Sequence, residues 1–215
     1  MRVLIACEES QAVCIEFRKL GHEAFSCDLQ DCSGGYPEWH YKQDVFEVID
    51  MGWDMMVAHP PCTRLTVAAN KYYKPEYAER FPTIHQDRDF AVSFFIALYN
   101  APINKIAIEN PIGIMSTRLR KPDQVIHPYF FGDAERKGTC LWLKNLPLLV
   151  HTKYDNLFEE SMYVKPEIIF HKSGRTDSKL HFETLSLPKE ERAKARSVTF
   201  PGIARAMAQQ WGGTQ

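Results

Sequence analysis

Short apolar runs that each stop at polar or reactive residues constrain this chain more than any other feature. Arg2 to Ala6 is apolar, with β-branched Val3 and Ile5, and stops at Cys7-Glu8-Glu9, the pattern of a buried strand. Ser10 is placed to cap a following helix in which Val13, Phe17 and Leu20 share a face, and Gly21 supplies its C-terminal cap. His22 to Cys27 reads as a second strand ending at Asp28, which completes a strand-helix-strand unit of the Rossmann kind. The alternation continues with a short strand near Tyr41 ending at Asp44, a helix over Val45 to Asp50, and a strand over Asp54 to Ala58. His59-Pro60-Pro61 stops that strand, because proline cannot donate to a sheet. After a loop from Arg64 to Pro82 come a long helix (Thr83 to Leu98), a strand (Lys105 to Ile108) ending at Glu109-Asn110-Pro111, and a strand of the distal sheet (Thr139 to Leu143). The expected fold is α/β, a mostly parallel sheet with helices on both faces.

At 215 residues the chain suits one domain, 1–215, with a sizeable core. Pro147 to Arg196 is irregular and charged, and residues 148–196 read as an insertion. Pro201 to Trp211 reads as a helix with proline in its first turn; Ile203, Met207 and Trp211 lie on one face and dock it on the domain. No apolar run approaches a membrane span, and Val3 to Ala6 is too short for a signal-peptide core, so the expectation is a cytoplasmic protein with no membrane contact. The six cysteines form no CxxC pair; Cys27, Cys32 and His40 are weak candidates for a metal site, and the expectation is none. A formal net charge of −1 leaves no general excess of positive charge for phosphates, so any nucleic-acid surface is local.

In open α/β sheets, ligands bind at the carboxyl ends of the strands, and here those ends carry Glu8, Glu9, Asp28, Asp44, Cys62 and Glu109. An acid at the end of a second strand commonly bonds a ribose hydroxyl, which suits Asp28; the alternative is a solvated turn acid. Cys62 follows two rigid prolines, with His59 and Arg64 near enough in sequence to supply an electropositive field for a thiolate; the alternative is an inert buried cysteine. Glu109 follows the apolar run Ile106-Ala107-Ile108, so desolvation is expected to raise its pKa and let it hold or deliver a proton; the alternative is an acid that caps nearby backbone.

Pro60-Pro61-Cys62 and Glu109-Asn110-Pro111, in this order on successive strand ends, resemble the nucleophile and Glu-Asn-Val motifs of the cytosine-C5 DNA methyltransferase family, with Pro111 in place of valine. The Cys-Glu-Glu-Ser, His-Pro-Pro-Cys-Thr and Cys-Leu-Trp-Leu segments resemble those of small stand-alone members carried by phages and prophages. The resemblance covers roughly the first 150 residues and the C-terminal helix. It implies a Rossmann-like S-adenosylmethionine-dependent methyltransferase sheet, located in the host cytoplasm if phage-encoded, that methylates C5 of cytosine in DNA through a covalent Cys62 adduct. A duplex substrate then presents a flipped cytosine. Cys62 and Glu109, with Pro61 and Asn110, become the catalytic set. Glu8, Glu9, Ser10, Asp28, Leu29, Asp44, Val45 and Pro60 become the cofactor set. Thr63, Arg64, Arg136, Lys137 and Thr139 become the substrate set.

The sequence departs from the family pattern in two further places. Ala6-Cys7-Glu8-Glu9-Ser10 stands where the family has a Phe-x-Gly-x-Gly turn, which leaves Glu8 and Glu9 free to grip the cofactor's amino group. Only residues 148–196 stand in place of a full target-recognition domain, so a homodimer or protein partner is a candidate source of target recognition. Two alternatives stay open: a related enzyme acting on a free pyrimidine nucleotide or RNA, or using a modified sulfonium cofactor; and a non-catalytic nucleic-acid-binding relic. The loop from Lys71 to Arg80, with Tyr72, Tyr73 and Tyr77, is either a base-stacking surface or an ordinary surface loop.

Overall fold

The computed structural model describes residues 1–155 and 158–213. The first unit is β1 (Arg2–Ala6), α1 (Ala12–Lys19) and β2 (Glu23–Asp28), followed by β3 (His40–Lys42), α2 (Val45–Val48) and β4 (Met55–Ala58). Then come α3 (Ile84–Tyr99), β5 (Lys105–Pro111), α4 (Met115–Arg118), β6 (Gln124–Ile126) and β7 (Thr139–Lys144). One seven-stranded sheet has the order β3-β2-β1-β4-β5-β7-β6. β3, β2, β1, β4 and β5 are mutually parallel, while β7 runs antiparallel to both β5 and β6. This is the Rossmann-like α/β sheet, mostly parallel with helices on both faces, that the sequence leads one to expect.

Both faces of the sheet are covered, which explains why its central strands read as unbroken apolar runs. Val3, Ile5, Met55 and Val57 point to the side packed by Phe17 of α1 and by Ile203, Met207 and Trp211 of α7 (Pro201–Gly212). Their neighbours Leu4, Ala6, Met56 and Ala58 point to the other side, against Phe95 of α3, Val48 of α2 and Trp142 of β7. The C-terminal helix docks as its one-faced pattern requires, and Trp211 Nε1 also donates to the Pro147 carbonyl.

The structure corrects several local expectations. Ser10 does not cap α1: Gln11 is the N-cap residue, and Ser10 Oγ reaches only the Ala12 amide, at 3.4 Å. Glu8 does the capping instead. Its carboxylate accepts from the amides of Val13 (2.7 Å) and Cys14 (3.2 Å), two of the free donors at a helix start. The cause is the turn itself, which enters left-handed backbone at Cys7 (φ 59°) and Gln11 (φ 60°) and so folds Glu8 back under the first helical turn. Glycine usually occupies such positions. Here Gln11 is locked by its own amide, which donates to Tyr36 O (2.8 Å) and accepts from Tyr36 N (3.1 Å).

Elsewhere α2 stops at Val48, because the chain turns before Gly52 (φ 77°), and β3 ends two residues before Asp44, which becomes the N-cap of α2. The 64–82 segment contains 3₁₀ turns at Val67–Tyr73 and Pro75–Tyr77. Residues 148–196 hold the hairpins β8 (Thr152–Asp155) with β9 (Phe158–Ser161) and β10 (Ile168–Phe170) with β11 (Thr176–Ser178), then the helices α5 (Lys179–Glu183) and α6 (Lys189–Ser197). Residues 156 and 157 of that segment lie outside the described residues. Among the described residues no helix is long and apolar enough to cross a membrane.

Capping by Glu8 rather than Ser10 has a measurable consequence. Glu8→Ala leaves two buried helix-start donors unpaired and lowers the unfolding free energy by about 1–3 kcal/mol, whereas Ser10→Ala changes it by less than about 0.5 kcal/mol. Urea unfolding of the two variants measures both, and equal effects would contradict this capping.

Candidate active site

Two rim segments are joined side by side. β4 ends at Ala58, and His59, Pro60, Pro61 and Cys62 follow it over the sheet edge; β5 runs on through Glu109, Asn110 and Pro111. Asn110 is buried, and its Nδ2 donates to the Pro60 carbonyl at 2.8 Å. Beyond Cys62 the chain turns back, with Leu65 N and Thr66 N donating to Cys62 O. It then bonds to the segment after Pro111 through Val67 N to Ile112 O and Ile114 N to Leu65 O. A Cβ on Gly113 would sit 2.0 Å from Leu65 O, so only glycine permits this approach.

The joined segments form one wall of a cavity of about 380 Å³, lined among others by Glu8, Glu9, Cys62, Glu109, Lys137 and Arg196. Cys62 and Glu109 therefore share one open space, and Cys62 is partly exposed to it. A second cavity of about 560 Å³ adjoins the first through Cys7, Asp28, Gln30 and Pro61, which line both. Its walls are mostly apolar, including Leu29, Val45, Phe90 and Phe94, with Asp28 and Asp44 at its polar side. One oxygen of each acid serves a local turn: Asp28 Oδ1 accepts from Gln30 N, and Asp44 Oδ1 from Phe46 N. The other oxygen of each carries no hydrogen bond among the described residues.

The electrostatics differ from the sequence expectation in two ways. Burial does act to raise the Glu109 pKa, but the His59 hydrogen bond, the Lys137 charge and the His59 charge outweigh it and hold the carboxyl below its usual range. His59 Nδ1 lies 3.1 Å from Glu109 Oε2, with the two side chains only 9% and 14% exposed. Cys62 is the opposite case. Burial first, and then the Glu109 charge, push its pKa up against a lowering by Lys137, so it stands as a thiol. Arg64 supplies no field here: its guanidinium pairs with Asp87 at 2.8 Å and lines the second cavity.

Of the residues singled out in the sequence, Glu8, Glu9, Ser10, Pro60, Pro61, Cys62, Glu109, Asn110 and Lys137 line the first cavity. Leu29, Asp44, Val45, Thr63 and Arg64 line the second, and Asp28 lines both. Arg136 lines neither; it is on a small basic recess with Lys137, His181 and Arg196. Thr139 is buried in β7 and reaches neither cavity. Sequence reading weighs Arg196, with Lys189, Arg192 and Lys194, as either a solvated helix face or a DNA contact; it did not single out Ser197 and Thr199 on the first cavity or Phe90 and Phe94 on the second. Asp87, Phe90 and Phe94 fall at helical spacing, a signal that was present; the 196–199 segment carries no motif. Glu9 is 8% exposed at its side chain, and both its oxygens lack a hydrogen-bond partner, although Lys194 Nζ of α6 lies 3.5 Å from Oε2. Among the described residues no group of three or more His, Cys, Asp or Glu is placed to hold a metal ion. Cys27 instead contacts Gln43 O, and His40 bonds Ser26 and Gln30 O.

No protein-family model matches the chain, and no curated protein matches it. Among solved structures, it is similar to a protein provisionally described as a DNA modification methyltransferase, encoded within a prophage in E. coli. The identity is 12% and the TM-score 0.44; the match covers 66% of this chain and 46% of that one. The fold assignment rests on the strand order and register described above.

The depressed pKa of Glu109 fixes the sign of a pH effect. Its folded value lies below its unfolded value, so the stability it contributes is present above the unfolded carboxylate pKa of about 4.3 and is lost as pH falls through the folded value. Urea unfolding across pH should show the difference between wild type and Glu109→Gln level near neutrality and moving against wild type below about pH 4. A difference that moves in favour of wild type on acidification contradicts the assignment.

Proposed function

We propose that this chain is an S-adenosylmethionine-dependent enzyme that methylates C5 of cytosine in DNA through a covalent Cys62 adduct. The observation that carries the reading is the pair of adjoining cavities: a thiol and a carboxylate share the smaller one, and the larger has the apolar walls and flanking acids that suit a nucleoside.

The donor set fits the cofactor. The free oxygens of Asp28 and Asp44 suit ribose hydroxyls and an adenine amine, while Phe94 and Val45 offer apolar surface to the base. The buried Glu9 carboxylate, with both oxygens lacking hydrogen bonds, suits an ammonium group. When bound, the sulfonium supplies an electrophilic methyl group. In the smaller cavity Cys62 attacks C6 of the pyrimidine, and Glu109 binds the N3 and exocyclic-amine edge as the ring gains electron density. Lys137, whose charge reaches both Cys62 and Glu109, favours the anionic form of each.

A second reading keeps the chemistry and changes the substrate to a free pyrimidine nucleotide or RNA. The small size of residues 148–196, which fold as short hairpins and helices among the described residues, favours it.

Incubation with labelled S-adenosylmethionine and cytosine-containing DNA should label 5-methylcytosine. Cys62→Ala should abolish labelling, and Glu109→Gln should reduce it by roughly 10²-fold or more. Label that appears only in free nucleotides or RNA selects the second reading, and label that survives in Cys62→Ala contradicts the adduct.

A further inference from the structure

His59 follows the end of β4, and its mostly buried side chain lines the smaller cavity. Its Nδ1 meets Glu109 Oε2, and since an ionised carboxylate can only accept, Nδ1 carries the hydrogen. Its Nε2 is buried and has no hydrogen-bond partner among the described residues. The charged and titratable groups around this pair come from three neighbouring strands. Glu8, beyond β1, feels the His59 charge, and its own pKa is raised chiefly by burial. Lys137 and Cys62 interact with Glu109, and Cys140 of β7 is pushed up to about 11 by burial and by the Glu109 charge.

The methylation reading leaves one proton unassigned. Cys62 stands as a thiol and must lose its proton to attack, while the pyrimidine must gain one to remain neutral. We propose that His59 is a positioning residue: its Nδ1–H holds Glu109 as a carboxylate in the cavity it shares with the Cys62 thiol, so that Glu109 can receive the thiol proton. This rests on the methylation reading for its chemistry but not for its geometry. The S–H bond breaks and its proton goes to a Glu109 oxygen. The sulfur electron pair forms the S–C6 bond. The C5=C6 π pair moves to C4–C5, the C4=N3 pair moves to N3, and N3 takes the proton from Glu109. The adduct is neutral, and no further reactant is consumed. Without His59, burial of the carboxyl is opposed mainly by the Lys137 charge, and a carboxyl that keeps its own proton cannot accept another.

Wild type, His59→Leu and His59→Asn test this, since the asparagine amide retains a donor near the Nδ1 position and leucine does not. Glu109 is followed by carbon-13 NMR of the glutamate carboxyls, assigned through Glu109→Gln. The Glu109 midpoint should rise past neutral pH in His59→Leu, as a buried carboxyl without its hydrogen-bond donor can, and stay close to wild type in His59→Asn. An unchanged midpoint in His59→Leu, or equal shifts in both variants, overturns the proposal. In parallel, with S-adenosylmethionine present, covalent capture of DNA containing 5-fluorocytosine should slow by about 10²-fold at neutral pH in His59→Leu, recover as pH rises past the new Glu109 midpoint, and be largely restored in His59→Asn. Capture that is slowed equally at all pH values contradicts a role through Glu109. If the midpoint shifts as stated but wild type captures no DNA, the positioning role stands and the methylation reading falls.

Discussion

The hydrogen bond from the buried Asn110 side chain to the Pro60 carbonyl is the constraint on which the site depends. The two polypeptide segments it joins are fifty residues apart; the first leaves the sheet through Pro60 and Pro61, which cannot donate to a ladder, and the second ends its strand at Pro111. Without it, the rim above the β4–β5 pairing would rest on the His59–Glu109 contact and on the backbone bonds further along the two segments. With it, the backbone before Cys62 is fixed against the backbone after Glu109, and the Gly113–Leu65 approach secures the far side. Geometry of this kind allows two side chains to share a cavity of a few hundred cubic ångströms with little reorganisation on binding.

The charge pattern follows from that geometry. Bringing Glu109 into the interior costs solvation, which its bond to His59 and the nearby Lys137 offset. The same carboxylate works against ionisation of Cys62. The site thus holds an ionised acid beside a neutral thiol, the reverse of a pre-formed thiolate next to a protonated acid. In the proposed reaction, one proton passed between the two groups serves a nucleophilic addition that ends in a neutral ring, and no external acid has to enter the cavity.

Much of the architecture was legible in the sequence because both faces of the sheet are buried. Apolar runs such as Val3 to Ala6 and Ile106 to Ile108 admit few readings, and the polar residues that end them mark the rim. The local detail was less legible. Ser10 has the right chemistry and position for a cap, yet left-handed backbone at Cys7 and Gln11 brings Glu8 there instead, and non-glycine residues give no warning of such a turn. The direction of the Glu109 shift was missed because the apolar run before it signals burial, whereas the compensating His59 comes from another strand fifty residues away. Arg64 lies two residues from Cys62 in sequence but turns to Asp87, since a chain that reverses at a rim sends adjacent side chains to different cavities.

The central claim is that the larger cavity holds the methyl donor and the smaller one its target. A crystal structure with bound S-adenosylhomocysteine tests it most directly. The account predicts the ribose at Asp28, the adenine between Val45 and Phe94 with its amine at Asp44, and the thioether sulfur directed into the space shared by Cys62 and Glu109. A ligand seated elsewhere, or one whose sulfur points away from that space, would contradict it.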